Sequence, residues 1–288
     1  MHHAARYAMS SVHDAGHRSP RTVAAPRPTP FRSGSTALAA AVVLLALVPH
    51  PVRAAEGLYL TWNDCAQGAA AASNRDFACN TNVGVNELYV AFTMPQATDN
   101  VRGAEIVIDV QHASAALPDW WRLEPGGCRW PMFQPAALTA AATFPGGSAC
   151  LDTWQGAQTA PVAEIAGYLL GQPGGAASQV RIKVTVSVLP GDERTLDGTS
   201  MYYAARIVLA NSGTVGSPSC AGCTEAACLV LNSIIIGRTD GSPGGNFFLQ
   251  TAGPGEANWA LWQGGSGANC SAVPIRKSTW GMVKHLYR

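Results

Sequence analysis

Charge is scarce in this 288-residue chain. Asp, Glu, Lys and Arg make up 13% of it, about half the share usual in soluble domains. Histidine is scarcer where it would matter, since beyond residue 54 only His112 and His285 remain. No His-Glu-x-x-His helix and no phosphate loop occur. The stretch Gly264 to Ala268 (GGSGA) lacks the last glycine of a G-x-S-x-G nucleophile elbow. These gaps leave little material for histidine-based acid–base chemistry or a built metal site. Long apolar runs are missing as well. The longest is ALAAAVVLLALV, residues 37–48, short of the roughly 20 residues a crossing helix needs.

What that run does resemble is the core of a secretory signal. Arg6, Arg18, Arg21, Arg27 and Arg32 precede it with a single acid, Asp14, and Val52 and Ala54 suit a small-residue cleavage site. Residues 1–54 are therefore expected to form a signal peptide with an extended basic N-region, cut after Ala54. No cysteine lies near the cut, so a lipid anchor is not expected, and no transmembrane anchor follows. Beyond the cut there are thirteen basic and seventeen acidic residues. The last thirteen positions, RKSTWGMVKHLYR, hold four of the basic residues and none of the acids. An acidic body with a basic tail is poor nucleic-acid material.

All eight cysteines follow the cut: Cys65, Cys79, Cys128, Cys150, Cys220, Cys223, Cys228 and Cys270. An even number in an exported chain reads as four disulfides. Proximity favours Cys65–Cys79 and Cys128–Cys150, across turn-rich segments. That leaves SCAGCTEAAC, residues 219–228, and the distant Cys270, with Cys220–Cys228 and Cys223–Cys270 preferred among three possible pairings. Zinc would want a second close pair, so neither a metal nor any other cofactor is expected. The Cys220-x-x-Cys223 spacing keeps a thiol–disulfide activity open as an alternative.

Period-two alternation dominates the rest. QVRIKVTVSV (179–188) and AEIVIDVQ (104–111) alternate apolar and polar residues, as half-buried strands do, and so does ELYVAFTM (87–94). SMYYAARIVLA (200–210) and CLVLNSIIIG (228–237) are denser and predict burial on both faces. GLYLTW (57–62) and NFFLQ (246–250) are shorter candidates, and PVAEIAGYLLG (161–171) fits three helical turns or an edge strand. Gly/Pro, Asn and Asp-Gly turns separate them. The pattern predicts an all-β antiparallel sandwich, Ig-like or jelly-roll-like, stapled by disulfides, with little helix, as one domain over 55–275. A short echo, TWQGA (153–157) and LWQGG (261–265), could mark related corners.

Three surface features remain. Asp192, Glu193 and Asp197 share one loop, where paired carboxylates could cleave a glycosidic bond or bind calcium. Eight tryptophans, Trp62, Trp120, Trp121, Trp130, Trp154, Trp259, Trp262 and Trp280, could supply a sugar-binding platform or a core. The tail, residues 276–288, spaces Trp280, Val283 and Tyr287 helically, with Lys284 and Arg288 outside them. Trp280, Lys284 and Arg288 are thus candidate contacts to an unknown envelope or extracellular partner.

The segment Leu60 to Cys65 (LTWNDC), the C-x-x-C-x4-C cluster and the Trp-Gly-x-x-Lys-x-x-Tyr-Arg end together resemble a group of exported, functionally uncharacterised bacterial all-β proteins. That resemblance implies export and a shared fold, and it transfers no activity. The expectation is an exported, non-catalytic binding or structural module of the cell envelope or extracellular space. Its alternatives are a carbohydrate-binding or carbohydrate-acting protein, and a thiol–disulfide protein.

Overall fold

A computed structural model describes residues 55–112, 114–130, 136–144, 149–255, 257–265 and 270. The proposed signal core, the cut at Ala54 and the tail residues Trp280, Lys284 and Arg288 lie outside the described residues. In chain order the strands are β1 (Gly57–Trp62), β2 (Asn74–Arg75), β3 (Val85–Thr93), β4 (Thr98–His112), β5 (Leu138–Ala141), β6 (Leu151–Asp152) and β7 (Val162–Leu170). They continue with β8 (Gln179–Ser187), β9 (Arg194–Leu196), β10 (Met201–Ala210), β11 (Ala227–Arg238), β12 (Phe247–Leu249) and β13 (Trp259–Trp262). Among the described residues helix is confined to short 3-10 pieces, of which Asp119–Trp121 is one, and no helix could cross a membrane.

One sheet runs β1-β3-β10-β5, with β6 beside β10. The other runs β2-β13-β11-β4-β8-β7, with β12 on β11 and β9 on β4. Their inner faces meet in one core. Leu58, Leu60, Val90, Phe92, Ile207 and Leu209 come from the first sheet, and Ile106, Ile108, Val184, Leu229 and Ile234 from the second. This is the expected sandwich.

The outward residues of β4 and β8 pair across strands. Arg181 grips Asp109 with two bonds of 2.7 and 2.9 Å, and Lys183 reaches Glu105 at 3.4 Å. Arg181 stands directly opposite Asp109 and Lys183 lies diagonal to Glu105, and such opposite-charge pairs support this wet face modestly. The denser runs have two causes. On the back of the first sheet, Tyr59, Tyr89, Met201 and Tyr203 are buried beside Cys65 and Cys150. On the back of β11, Cys228 and Val230 are buried beside Leu261 and Cys270. Bulges between Tyr203 and Ala205 and between Leu231 and Ser233 then shift the alternation by one, which brings successive residues inward.

The ambiguous segment 161–171 is an edge strand, β7, with a bulge between Ile165 and Gly167. Every cysteine is paired, yet none of the four preferred pairings forms. The bonds are Cys65–Cys150, Cys79–Cys223, Cys128–Cys220 and Cys228–Cys270. Spans of 85, 144, 92 and 42 residues replace the short loops expected from proximity, because the sandwich brings distant segments together while turns carry near neighbours apart.

Candidate functional site

The cysteine cluster is a clamp. Cys220 and Cys223 bond to different partners, Cys128 and Cys79, and both are buried. The C-x-x-C pair therefore does not close on itself as a redox disulfide would. Between them Gly222 sits at φ +98°, and a Cβ there would lie 2.2 Å from the Pro118 side chain. Only glycine allows that left-handed turn and that approach. The turn delivers the Ala221 carbonyl to the Trp120 N–H at 2.8 Å and the Cys223 carbonyl to Trp262 Nε1 at 2.7 Å.

What it clamps is an aromatic plug. Trp120 stacks on Trp262 at 4.6 Å, Phe77 stacks on Trp262 at 4.4 Å, and Trp62 and Trp121 meet Trp262 edge-on. Arg129, also buried, lies 3.9 Å over the Trp120 ring. Its guanidinium donates to the carbonyls of Trp120, Ser212 and Ala210. Burial lowers its pKa to about 10, which leaves it a cation at neutral pH. His112 packs edge-on against Trp121. Neither of its ring nitrogens has a partner among the described residues, and burial lowers its pKa to about 4. A neutral histidine so enclosed is a packing residue.

The acidic loop is scaffold too. Asp197 accepts from the N–H and hydroxyl of both Thr199 and Ser200 and from the Tyr202 hydroxyl. Five donors fill the roughly four lone-pair sites of a carboxylate, and these bonds hold it well below the usual carboxylate range. Asp192 accepts from the Gln158 and Thr159 N–H groups and the Thr159 hydroxyl, which lowers its pKa also. Glu193 accepts from the Gly191 N–H at 2.9 Å and the Thr239 hydroxyl at 3.3 Å. A cleft of about 390 Å³ beside Asp197 is lined by Asp152, Arg194 and Tyr202. Burial raises the Asp152 pKa, but Asp197 has no free oxygen with which to complete a catalytic pair. Among the described residues no three His, Cys, Asp or Glu gather as metal ligands.

Nor do the described tryptophans form a platform. Trp62, Trp120, Trp121, Trp154 and Trp262 are buried, and Trp259 is half-buried; Trp130 alone is well exposed, at 47%. The Trp-Gln-Gly echo does not mark equivalent corners. Trp154 Nε1 donates to the Ala204 carbonyl from a turn, while Trp262 ends β13.

A different feature is unpaired among the described residues. The outer side of β1 is covered, since Leu58 and Leu60 donate to the carbonyls of Thr251 and Ala257, and Gly253 donates to that of Leu58. The β13 margin carries β2. At the opposite margin of that sheet, β7 bonds to β8 alone. Among the described residues no other segment hydrogen-bonds to its backbone. β5 comes near but pairs only with β10. Val162 (61% exposed), Leu169 (42%) and Leu170 (44%) crowd this margin, with Glu164 as its single charge. A pocket of about 370 Å³, lined by Leu117, Arg122, Leu170, Gly171 and Ala177, lies at its far end. The sequence left this segment as a helix or an edge strand, and only the sheet order decides for the edge, because pairing is a property of the whole topology.

No known family model, curated protein sequence or solved structure matches this chain.

Proposed function

We propose that the protein is an exported, non-catalytic binding module that recognises an extended polypeptide segment by strand addition to β7. The carrying observation is a nine-residue edge strand whose second side no described segment pairs, with exposed apolar side chains. Natural edges are normally shortened, charged or covered, since unpaired N–H and C=O groups template pairing with another chain. In strand addition the main chain supplies affinity and a neighbouring pocket supplies selectivity, and the pocket at Leu170 fits that second part. Four disulfides suit an oxidising compartment outside the cytosol. The commitment of Asp192, Glu193 and Asp197 to structural hydrogen bonds supports the non-catalytic reading.

Site-specific photocrosslinking in the native cell envelope tests this. A photoreactive residue at Val162 or Leu169 is expected to give an adduct with a polypeptide, while one at Phe248, which is 59% exposed elsewhere, gives none. Equal labelling from all three positions, or none from the β7 pair, would overturn the edge reading.

A further inference from the structure

We infer that the segment β7 receives is β7 of a second copy, paired antiparallel about a two-fold axis. This rests on the edge reading above and names its occupant. Directly opposite residues in a sheet point to the same face. In β7, Val162, Glu164, Gly167 and Leu169 lie opposite Ser187, Thr185, Lys183 and Arg181 of β8, so they share its outer face. Ala163, Ile165, Tyr168 and Leu170 lie opposite Val186, Val184, Ile182 and Val180, so they share its inner face. The bulge between Ile165 and Gly167 is what changes odd-numbered residues from inner to outer.

That change restricts how β7 can meet itself. Outer must face outer, and one such register also matches the exposed apolar residues. It sets Val162 opposite Leu169 of the second copy, and Leu169 opposite that copy's Val162. Glu164 then faces Gly167, and Ala163 faces Tyr168, so no like charges are opposed. Pro161 of the second copy arrives beside Leu170, at the mouth of the pocket. Shifting the register by two in either direction separates Val162 from Leu169. The pairing uses the same strand on both copies and therefore closes as a dimer instead of growing a fibre. The basic tail is a poorer occupant, because Arg276, Lys277, Lys284 and Arg288 would find one carboxylate on the strand.

A single strand pair is smaller than a permanent interface, so the dimer is expected to be weak, with a Kd on the order of micromolar. Sedimentation of the oxidised chain from residue 55 onward, at concentrations across that range, measures it. Val162→Lys alone and Leu169→Glu alone should each weaken the dimer about tenfold or more. The double variant Val162→Lys/Leu169→Glu places opposite charges across both symmetric positions, and should recover most of the affinity. Both sites are exposed, and unchanged circular dichroism and melting would show that the variants fold. A wild type that stays monomeric, or a double variant no better than either single one, overturns the second-copy assignment. Crosslinks from Val162 to a polypeptide of different mass would do so while leaving the edge reading intact. Loss of all crosslinks at β7 would remove both.

Discussion

Opening the Cys79–Cys223 bridge tests whether the cysteine cluster works as a clamp. The bridge spans 144 residues, and alone a loop of that length would contribute about 5 kcal/mol by chain entropy. Cys220 sits three residues from Cys223 and is tied to Cys128. With that second bond intact, the loop that Cys79–Cys223 closes shortens to roughly 50 residues, and its contribution falls to about 4 kcal/mol. The same shortcut applies to Cys128–Cys220 when Cys79–Cys223 is intact. Cys79→Ala/Cys223→Ala and Cys128→Ala/Cys220→Ala should therefore lose similar stability, each lowering Tm by on the order of 10 °C. Removing both bonds should cost about 0.5 kcal/mol more than the two single losses together, because the second removal opens a loop of roughly 90 residues instead of about 50. Differential scanning calorimetry without reductant, with the remaining bonds verified by peptide mapping, gives the values. A loss under about 1 kcal/mol from either pair, or a combined loss smaller than the sum, would refute the shared-loop argument.

Other consequences follow from the aromatic plug. His112 has a folded pKa of about 4 against about 6.5 unfolded, so the unfolded chain takes up the proton first. Its neutral packing contributes in full above about pH 6.5 and is lost as pH falls toward 4, by up to about 3 kcal/mol. His112→Phe should flatten that limb of a Tm-against-pH curve, and an unaltered slope would contradict the assignment. Arg129→Met leaves three carbonyls without their donor and should cost about 3–5 kcal/mol in urea unfolding; a change below about 1 kcal/mol would show the cation to be dispensable. Gly222→Ala strains the φ +98° turn and collides with Pro118, and should cost about 1–3 kcal/mol or more. Calorimetry showing no loss would mean the 220–223 loop can move away from Pro118.

The strands were largely legible in the sequence, because one wet and one buried face impose alternation that QVRIKVTVSV and AEIVIDVQ display directly. The runs at 200–210 and 228–237 could be read as doubly buried, although the coverings were not visible: Phe144 and the Cys65–Cys150 bridge on one sheet, Cys270 on the other. β7 was ambiguous because its bulge between Ile165 and Gly167 breaks the period of two. Disulfide partners were not legible at all. Proximity along the chain measures loop length, whereas Cys79 reaches Cys223 only because β13, which carries β2 on one side, pairs on the other with β11, the strand that follows Cys223. The candidate site was hidden for the same reason. An edge strand was one of two readings of 161–171, but Val162 and Leu169 stood out only once the sheet order left one side of β7 unpaired among the described residues.

Amide hydrogen exchange across β7 tests the central claim most directly. At high dilution the edge is free, so the outward-pointing amides of residues 162–170 should exchange nearly as fast as loops, while those of β4 and β8 stay protected. Raising the concentration, or adding the crosslinked partner, should slow the β7 amides and leave β8 unchanged. Protection of β7 equal to that of β8 at the lowest concentration would show that the chain itself covers this edge, and would contradict the account.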